Sequence, residues 1–317
     1  MNALLLAACA ATPQLTAPAP AAAPGQPWGE ERAAVLAGLN RARESAHLAP
    51  LAYDALLERV GDEHCREVLA DGVEGHFSLS GVPPYLRYLL AGGTGFHQEN
   101  AASFTSSRAV LRRQLVPILL SSLERMLGET APHDGHRRTI LDPWVTQVGI
   151  GVAWEGGEVR AAQEFATVLA QELTPLPAAT TPRSTVTLSG RLRKPWRPES
   201  VEVLWEELPH PRTAEELRGI HAYAYPPRRV AFFVADRGAN LGTGMPAASA
   251  TLDKFGTFTF RWQTSPFEGV EIAVVWAHNG SERNLVPAAA SATVVTVGGV
   301  LPPALARWRA LAEPHGG

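Results

Sequence analysis

The chain has 317 residues, 45% of them hydrophobic, with 28 Lys+Arg against 31 Asp+Glu and a net charge of -3. That length carries two domains with cores of their own, and the charge balance argues against a nucleic-acid surface. Two cysteines exclude a disulfide framework, and a mean hydropathy of -0.05 describes a soluble body rather than a membrane-spanning one.

Residues 1–8 read as the end of a signal segment, and Leu6-Ala7-Ala8-Cys9 resembles the lipobox of bacterial lipoproteins. The resemblance implies cleavage before Cys9 and a lipid on its sulfur. Ala10, where an aspartate would retain the protein, implies sorting to the outer membrane. The apolar run is short and no basic residue precedes it, so the natural start is expected upstream. Residues 9–27 are rich in alanine and proline and read as an extended tether without a core. With Cys9 acylated, Cys65 would be a buried free thiol.

From Trp28, the apolar residues Ala34, Val35, Leu39 and Ala42 recur at three- and four-residue spacing. They predict a helix with Arg41, Arg43 and Glu44 on its polar side. Pro50 ends it, and Asp54 is placed to cap a second helix. There Leu56, Val60, His64 and Val68 share one stripe, so His64 is read as a core histidine. His76 sits in a serine- and glycine-rich loop, and Pro83-Pro84 suits the first turn of a short helix over 85–91. A longer helix is predicted over 107–127. Val145, Val148, Ile150 and Val152 then line one side of a strand, where Gly149 and Gly151 permit close approach. Gly156-Gly157 turns that strand into a partner over 158–166. Helices first and a hairpin last describe an α+β domain over residues 28–173.

Three polar runs stand out in this domain: the loop at His76, Gln98-Glu99-Asn100, and His133-Asp-Gly-His136-Arg137-Arg138 ahead of the buried strand. They keep a fixed order with Leu39-Asn40-Arg41-x-Arg43, with Gly81, Pro84, Tyr85 and Arg87, and with Val148-Gly149-Ile150-Gly151. Together these motifs resemble the CAP superfamily of cysteine-rich secretory proteins, venom antigens and class 1 plant pathogenesis-related proteins, in its bacterial, disulfide-free form. The resemblance implies an α-β-α sandwich with a shallow cleft lined by His76, Glu99, Asn100, His136 and Arg137, and it moves His133 to the rim. A second family acid is expected at Glu124 or Glu129. Gln98 stands where the family has glycine and Thr139 where it has asparagine, so the cleft walls depart from the common pattern.

Two histidines and a carboxylate suit a divalent metal with open positions. Zinc on His76 and His136 is therefore one expectation, although no cofactor is required. The same groups suit general acid-base work, which makes His76, Glu99 and His136 the catalytic set if the chain is an enzyme. The nucleophile of a hydrolase is not legible, because Ser78, Ser80 and Ser121 lie in no strand-turn-helix elbow. A third reading makes these residues a hydrogen-bonded network that holds the cleft together. The favoured expectation is a secreted or lipid-anchored envelope protein of the outer membrane or periplasm. It would bind a lipid, glycan, peptidoglycan or protein without turnover, and touch the membrane only through its anchor. The alternative is a metal-assisted or His/Glu acid-base hydrolase of peptide or cell-wall polymer.

Residues 174–183 read as a linker, and over 184–299 the period becomes two. Strands are expected at 201–205, 221–225, 230–235, 247–252, 257–262, 270–276 and 290–297. Seven or eight short strands describe an all-β sandwich similar to immunoglobulin-like extracellular modules. Val270, Ile272, Val274 and Trp276 form its clearest buried face. His210, His221, Tyr223 and Tyr225 suggest a carbohydrate or protein contact surface, or packing. The tail, 300–317, is expected to form a short helix around Trp308 and pack on a domain.

Overall fold

A four-stranded sheet organises the first domain. Its strands are β1 (Ala52–Tyr53), β2 (Phe96–Thr105), β3 (Gln147–Glu155) and β4 (Glu158–Thr167), in the order β1-β3-β4-β2. All pairs are antiparallel except β1 on β3. The computed structural model describes residues 29–234, 238–241, 249–253, 255–280 and 285–312. Cys9, the signal segment and the tether lie outside the described residues.

Alternation along the strands divides this sheet into two faces. Val148, Ile150 and Val152 of β3 and Phe165 of β4 meet Val35 and Leu39 of α1 (Gly29–Ser45) and Leu119 and Leu123 of α4 (Leu115–Leu127). The opposite face carries α2 (Ala55–Ala70) and α3 (Pro84–Leu90). Asp54 caps α2 as its sequence position predicts: one carboxylate oxygen accepts the Leu56 and Leu57 N–H groups at 2.9 Å. The glycines of β3 let α2 lie directly on the strand. A Cβ added at Gly151 would come within 2.1 Å of the Gly61 carbonyl carbon.

Two features of this domain differ from the pattern reading. The helix expected from residue 107 begins only at Leu115, after a 3-10 turn at Arg112–Gln114. Ser106 and Val110 give their N–H groups to the β3–β4 turn, at Gly157 and Gly156, so the chain there is already committed. Arg43, assigned to a polar helix face, is buried instead. Its guanidinium donates to the carbonyls of Ala49, Ile140, Asp142 and Val145 and ties α1 to α5 (Gly135–Ile140).

The second domain is a sandwich of two sheets. One has the order β10 (Gly238–Leu241), β9 (Arg228–Val234), β8 (Arg197–Glu206), β13 (Gly269–His278), β14 (Val286–Val295), β6 (Ala179–Thr180), and the other β11 (Ser249–Leu252), β12 (Thr257–Gln263), β7 (Thr185–Leu192), β5 (Ala170–Thr174). The residues read as a linker are part of it. β5 (Ala170–Thr174) pairs with β7 (Thr185–Leu192), and β6 (Ala179–Thr180) pairs with β14 (Val286–Val295). Leu188, Phe258, Phe260 and Trp262 of the smaller sheet pack on Val201, Val203, Ala273 and Val275 of the larger one.

The face that looked most buried in sequence is not turned into the sandwich. On β13 (Gly269–His278), Ala273, Val275 and Ala277 point to the sandwich core, whereas Val270, Ile272 and Val274 meet Leu86, Leu89 and Leu90 of α3. A strand covered on both sides reads as a near-continuous apolar run, and β13 does. The terminal helix α7 (Pro303–Ala310) completes the layer, with Leu305 and Trp308 in the same cluster and Arg307 paired to Glu63 and Glu67 of α2. The two domains therefore share one core.

Between β8 (Arg197–Glu206) and β9 (Arg228–Val234) the chain leaves the sandwich as a strap over residues 207–227. It contains the short helix α6 (Ala214–Arg218), capped by Thr213 with Glu216 reaching back. The strand expected at 221–225 is irregular backbone. Its tyrosines go to the first domain.

Candidate functional site

His76 leaves its loop between α2 and α3 and is only 8% exposed, and Glu99 on β2 is 4% exposed. Nδ1 of His76 lies 2.8 Å from Glu99 Oε1. Arg87 of α3 bonds the other carboxylate oxygen, and its second arm donates to the carbonyls of His76 at 2.9 Å and Val82 at 3.2 Å. His64 of α2 is 3.9 Å from Glu99 Oε1 and 3.0 Å from the Gly75 carbonyl, so the core histidine also belongs to this cluster. Alongside, His97 Nε2 is 2.7 Å from Glu164 Oε2. Glu99 and Glu164 are direct partners across β2 and β4.

The charges in this cluster are decided by Arg87. Burial alone would raise the Glu99 carboxyl, but Arg87 above all, with the His76 hydrogen bond, holds it well below the usual carboxylate range. Glu164 has no such partner, and burial together with the Glu99 charge pushes it well up. Burial drives His64 and His97 down to about 3, keeping both imidazoles neutral. The ionised Glu99 and the Arg87 guanidinium form a balanced buried pair, with neutral His64 and His97 beside it.

The strap closes this cluster. The Tyr223 ring stands edge-on to the His76 ring with centroids 4.8 Å apart, and its hydroxyl accepts the Glu99 N–H. Tyr225 lies between Tyr85 and Phe96, at centroid distances of 4.5 and 4.4 Å, and accepts the His97 N–H at 3.0 Å. Leu217 packs on Val68 and Val73, and Arg212 N–H bonds the Leu79 carbonyl at 2.9 Å.

His136 stands elsewhere. Glu99 and Asn100 are neighbours on a strand and point to opposite faces. Glu99 faces α2 and α3, while Asn100 donates to the His136 carbonyl at 3.1 Å and to Gln163 on the α4–α5 side. Of the two acidic candidates, Glu129 is the one that meets His136: it bonds His136 Nδ1 and accepts the His136 N–H at 3.0 Å. Glu124 is exposed on α4. The His136 and Glu129 side chains are 36% and 23% exposed, so this pair meets solvent. Arg137 is exposed beside it and donates to the Leu127 carbonyl at 3.1 Å. The residues expected in one cleft thus form two hydrogen-bonded pairs, His76 with Glu99 and His136 with Glu129.

Either pair is an imidazole oriented by a carboxylate, as acid-base catalysis or metal ligation requires. The first has Tyr223 against it. The second has Nε2 left to act, but no serine joins it: Ser78 is buried and hydrogen-bonded to Ser80 at 2.7 Å, and Ser121 is exposed on α4. Among the described residues no three His, Cys, Asp or Glu side chains are placed to hold a metal. His76 and His136 each use Nδ1 on a separate carboxylate, which leaves Nε2 of each for another partner.

Arg87, Tyr223 and Tyr225 join the Glu99 cluster, whereas in the sequence the two tyrosines suggested a contact surface or packing without saying against what. Arg87 was visible only as part of a motif. Tyr223-x-Tyr225 alternates like a strand, and the signal against that reading was Pro226-Pro227 directly behind it.

Residues 36–168 match the cysteine-rich secretory protein family, CAP. Among solved structures, an outer surface protein from Borrelia burgdorferi is 16% identical, covering 44% of this chain and 94% of its own, with a TM-score of 0.36. BmVAL-1 is 16% identical over 45% of this chain and 79% of its own, with a TM-score of 0.34. Venom allergen-like protein 4 of Schistosoma mansoni is 10% identical over 43% and 88%, with a TM-score of 0.32. No curated protein matches the chain. The segment 36–168 belongs to the CAP family, and the chain is a CAP-domain protein with a β-sandwich built against that domain.

Proposed function

We propose that this chain is an exported bacterial envelope protein, lipid-anchored through Cys9 or secreted, that binds an envelope or extracellular ligand without turning it over. The export half of the reading rests on the apolar run before Cys9 and the alanine-proline tether behind it. The non-catalytic half rests on one observation: Tyr223 of the chain itself stands against His76 and bonds Glu99, where a substrate would have to enter. A general acid or base must come within hydrogen-bond reach of the proton it moves, and a buried His76 under a tyrosine offers no such approach. The ligand, whether lipid, glycan, peptidoglycan or protein, is left the outer surfaces, including the solvent-facing rim at His136 and Arg137.

The alternative hydrolase reading keeps one observation in its favour, the exposed and Glu129-oriented imidazole of His136. Incubating the full chain with peptidoglycan and with peptides separates the two. No product is expected from either substrate. Product formation that disappears in His136→Ala, with the fold intact by circular dichroism, would establish the hydrolase instead.

A further inference from the structure

Phe267, Val297 and Val300 are 61%, 75% and 69% exposed, and all three stand at one end of the sandwich. Phe267 lies on the turn from β12 to β13, and the two valines lie on the turn from β14 to α7. A hydrogen bond joins the turns: Glu268 Oε1 accepts the Val297 N–H at 2.8 Å.

The exposure is fixed by the backbone. Ser265 Oγ accepts the Phe267 N–H at 3.1 Å. The root of that turn is held by buried Glu271, which accepts the Trp262 indole N–H at 2.9 Å and the Ser265 N–H. On the other turn, Thr296 Oγ1 accepts the Val300 N–H and donates to the Val300 carbonyl, both at 3.0 Å, while Gly299 makes the left-handed corner with φ 63°. Neither turn can fold its apolar side chains inward without giving up these bonds. Arg183 stands beside them, exposed, with its N–H on the Ser265 carbonyl at 3.2 Å. The tip therefore presents three apolar side chains and a cation, and its acid, Glu268, is engaged by the Val297 N–H.

Such a tip suits a bilayer better than a folded partner. A stable protein interface covers roughly 800 Å² on each side, contributed by about 20 residues, and three side chains on two tight turns fall far short of that. An interfacial segment needs less. It sinks apolar side chains about 5–10 Å into the boundary between headgroups and acyl chains, with cations among the phosphates. An arginine stem follows apolar surface while its charge stays at the headgroups.

We propose that this tip docks the sandwich on an anionic lipid surface, with Phe267, Val297 and Val300 entering the acyl boundary and Arg183 pairing with headgroup phosphates. The inference rests on the envelope reading above and adds to the Cys9 anchor a second membrane contact. The full chain carrying Cys9→Ser, which removes the acylation site, is sedimented with vesicles of phosphatidylethanolamine and phosphatidylglycerol in equal parts. Saturable binding is expected, and weaker binding to vesicles of phosphatidylcholine. Phe267→Asp combined with Val297→Asp should weaken it about tenfold or more, and Arg183→Glu should remove the preference for the anionic vesicles. Leu111→Asp, at an exposed leucine of the CAP domain, should leave binding unchanged. Absent binding, or binding unaltered in the double variant, overturns the docking surface. A dimer in solution that the double variant breaks overturns it too, by assigning the tip to a second copy. Lack of labelled palmitate on Cys9 in the native chain would refute the anchor alone, since the vesicle assay does not use it.

Discussion

Replacing Arg87 by methionine removes the single cation that keeps Glu99 ionised inside the protein. Arg87 is fully buried and bonds the Glu99 carboxylate and the carbonyls of His76 and Val82. Breaking a buried ion pair costs about 3–5 kcal/mol. Each carbonyl left without a donor adds about 1 kcal/mol or more, though these losses overlap. A net loss of about 4 kcal/mol near pH 7 follows. The pH dependence carries the sharper test. In the native protein Glu99 is held below its ordinary range, so its contribution is complete above the ordinary value of 4.5 and fades as pH falls through the lower folded value. In Arg87→Met the largest counterweight to burial is gone, so Glu99 rises from its depressed position and the stability it contributes above pH 4.5 shrinks. The loss relative to native protein should therefore be smaller at pH 4.5 than at pH 8. Urea unfolding followed by tryptophan fluorescence at both pH values measures it. An equal loss at the two pH values, or a loss under about 1 kcal/mol at pH 8, would refute the reasoning.

Tyr225→Ala empties the space between Tyr85 and Phe96 and should cost about 3 kcal/mol in the same unfolding assay, with no effect of pH between 5 and 8. Glu206→Gln tests the opposite sign. Burial pushes Glu206 up to about 7 from 4.5, so the native protein loses stability as pH rises between those values. The variant should match native protein at pH 4 and exceed it at pH 8.5 by about 3 kcal/mol, read from melting curves. A chain ending at Thr174 exposes the apolar side of α3 that β13 and α7 cover. It is expected to self-associate on gel filtration, and a monomer with native thermal stability would contradict the shared core.

The pattern of the CAP domain was legible because its signals are local. Asp54 before an apolar stripe, glycines alternating with Val148 and Ile150, and the Gly156-Gly157 turn each act within a few residues. Its three polar runs located His76, Glu99 and His136 but could not divide them. That division comes from strand alternation at Glu99 and Asn100, and recognising it requires knowing that residues 96–105 form a strand. The choice between Glu124 and Glu129 depended on where α4 stops: helix through Leu127 leaves Glu129 beyond its end, free to turn back to His136. Val270, Ile272 and Val274 announced a buried face in sequence, yet alternation states that a face is covered and not by what. Tyr223 and Tyr225 were the least legible, because their contacts lie more than 120 residues away along the chain.

Chemical modification of histidines, mapped by mass spectrometry, addresses the occupied cleft most directly. With diethyl pyrocarbonate at pH 7, fast reaction is expected at His136, with protection of His64, His76 and His97. In Tyr223→Ala, His76 should become reactive while His64 and His97 stay protected. Modification of His76 in the native protein as rapid as that of His136 would contradict the claim that the chain's own tyrosine fills the cleft.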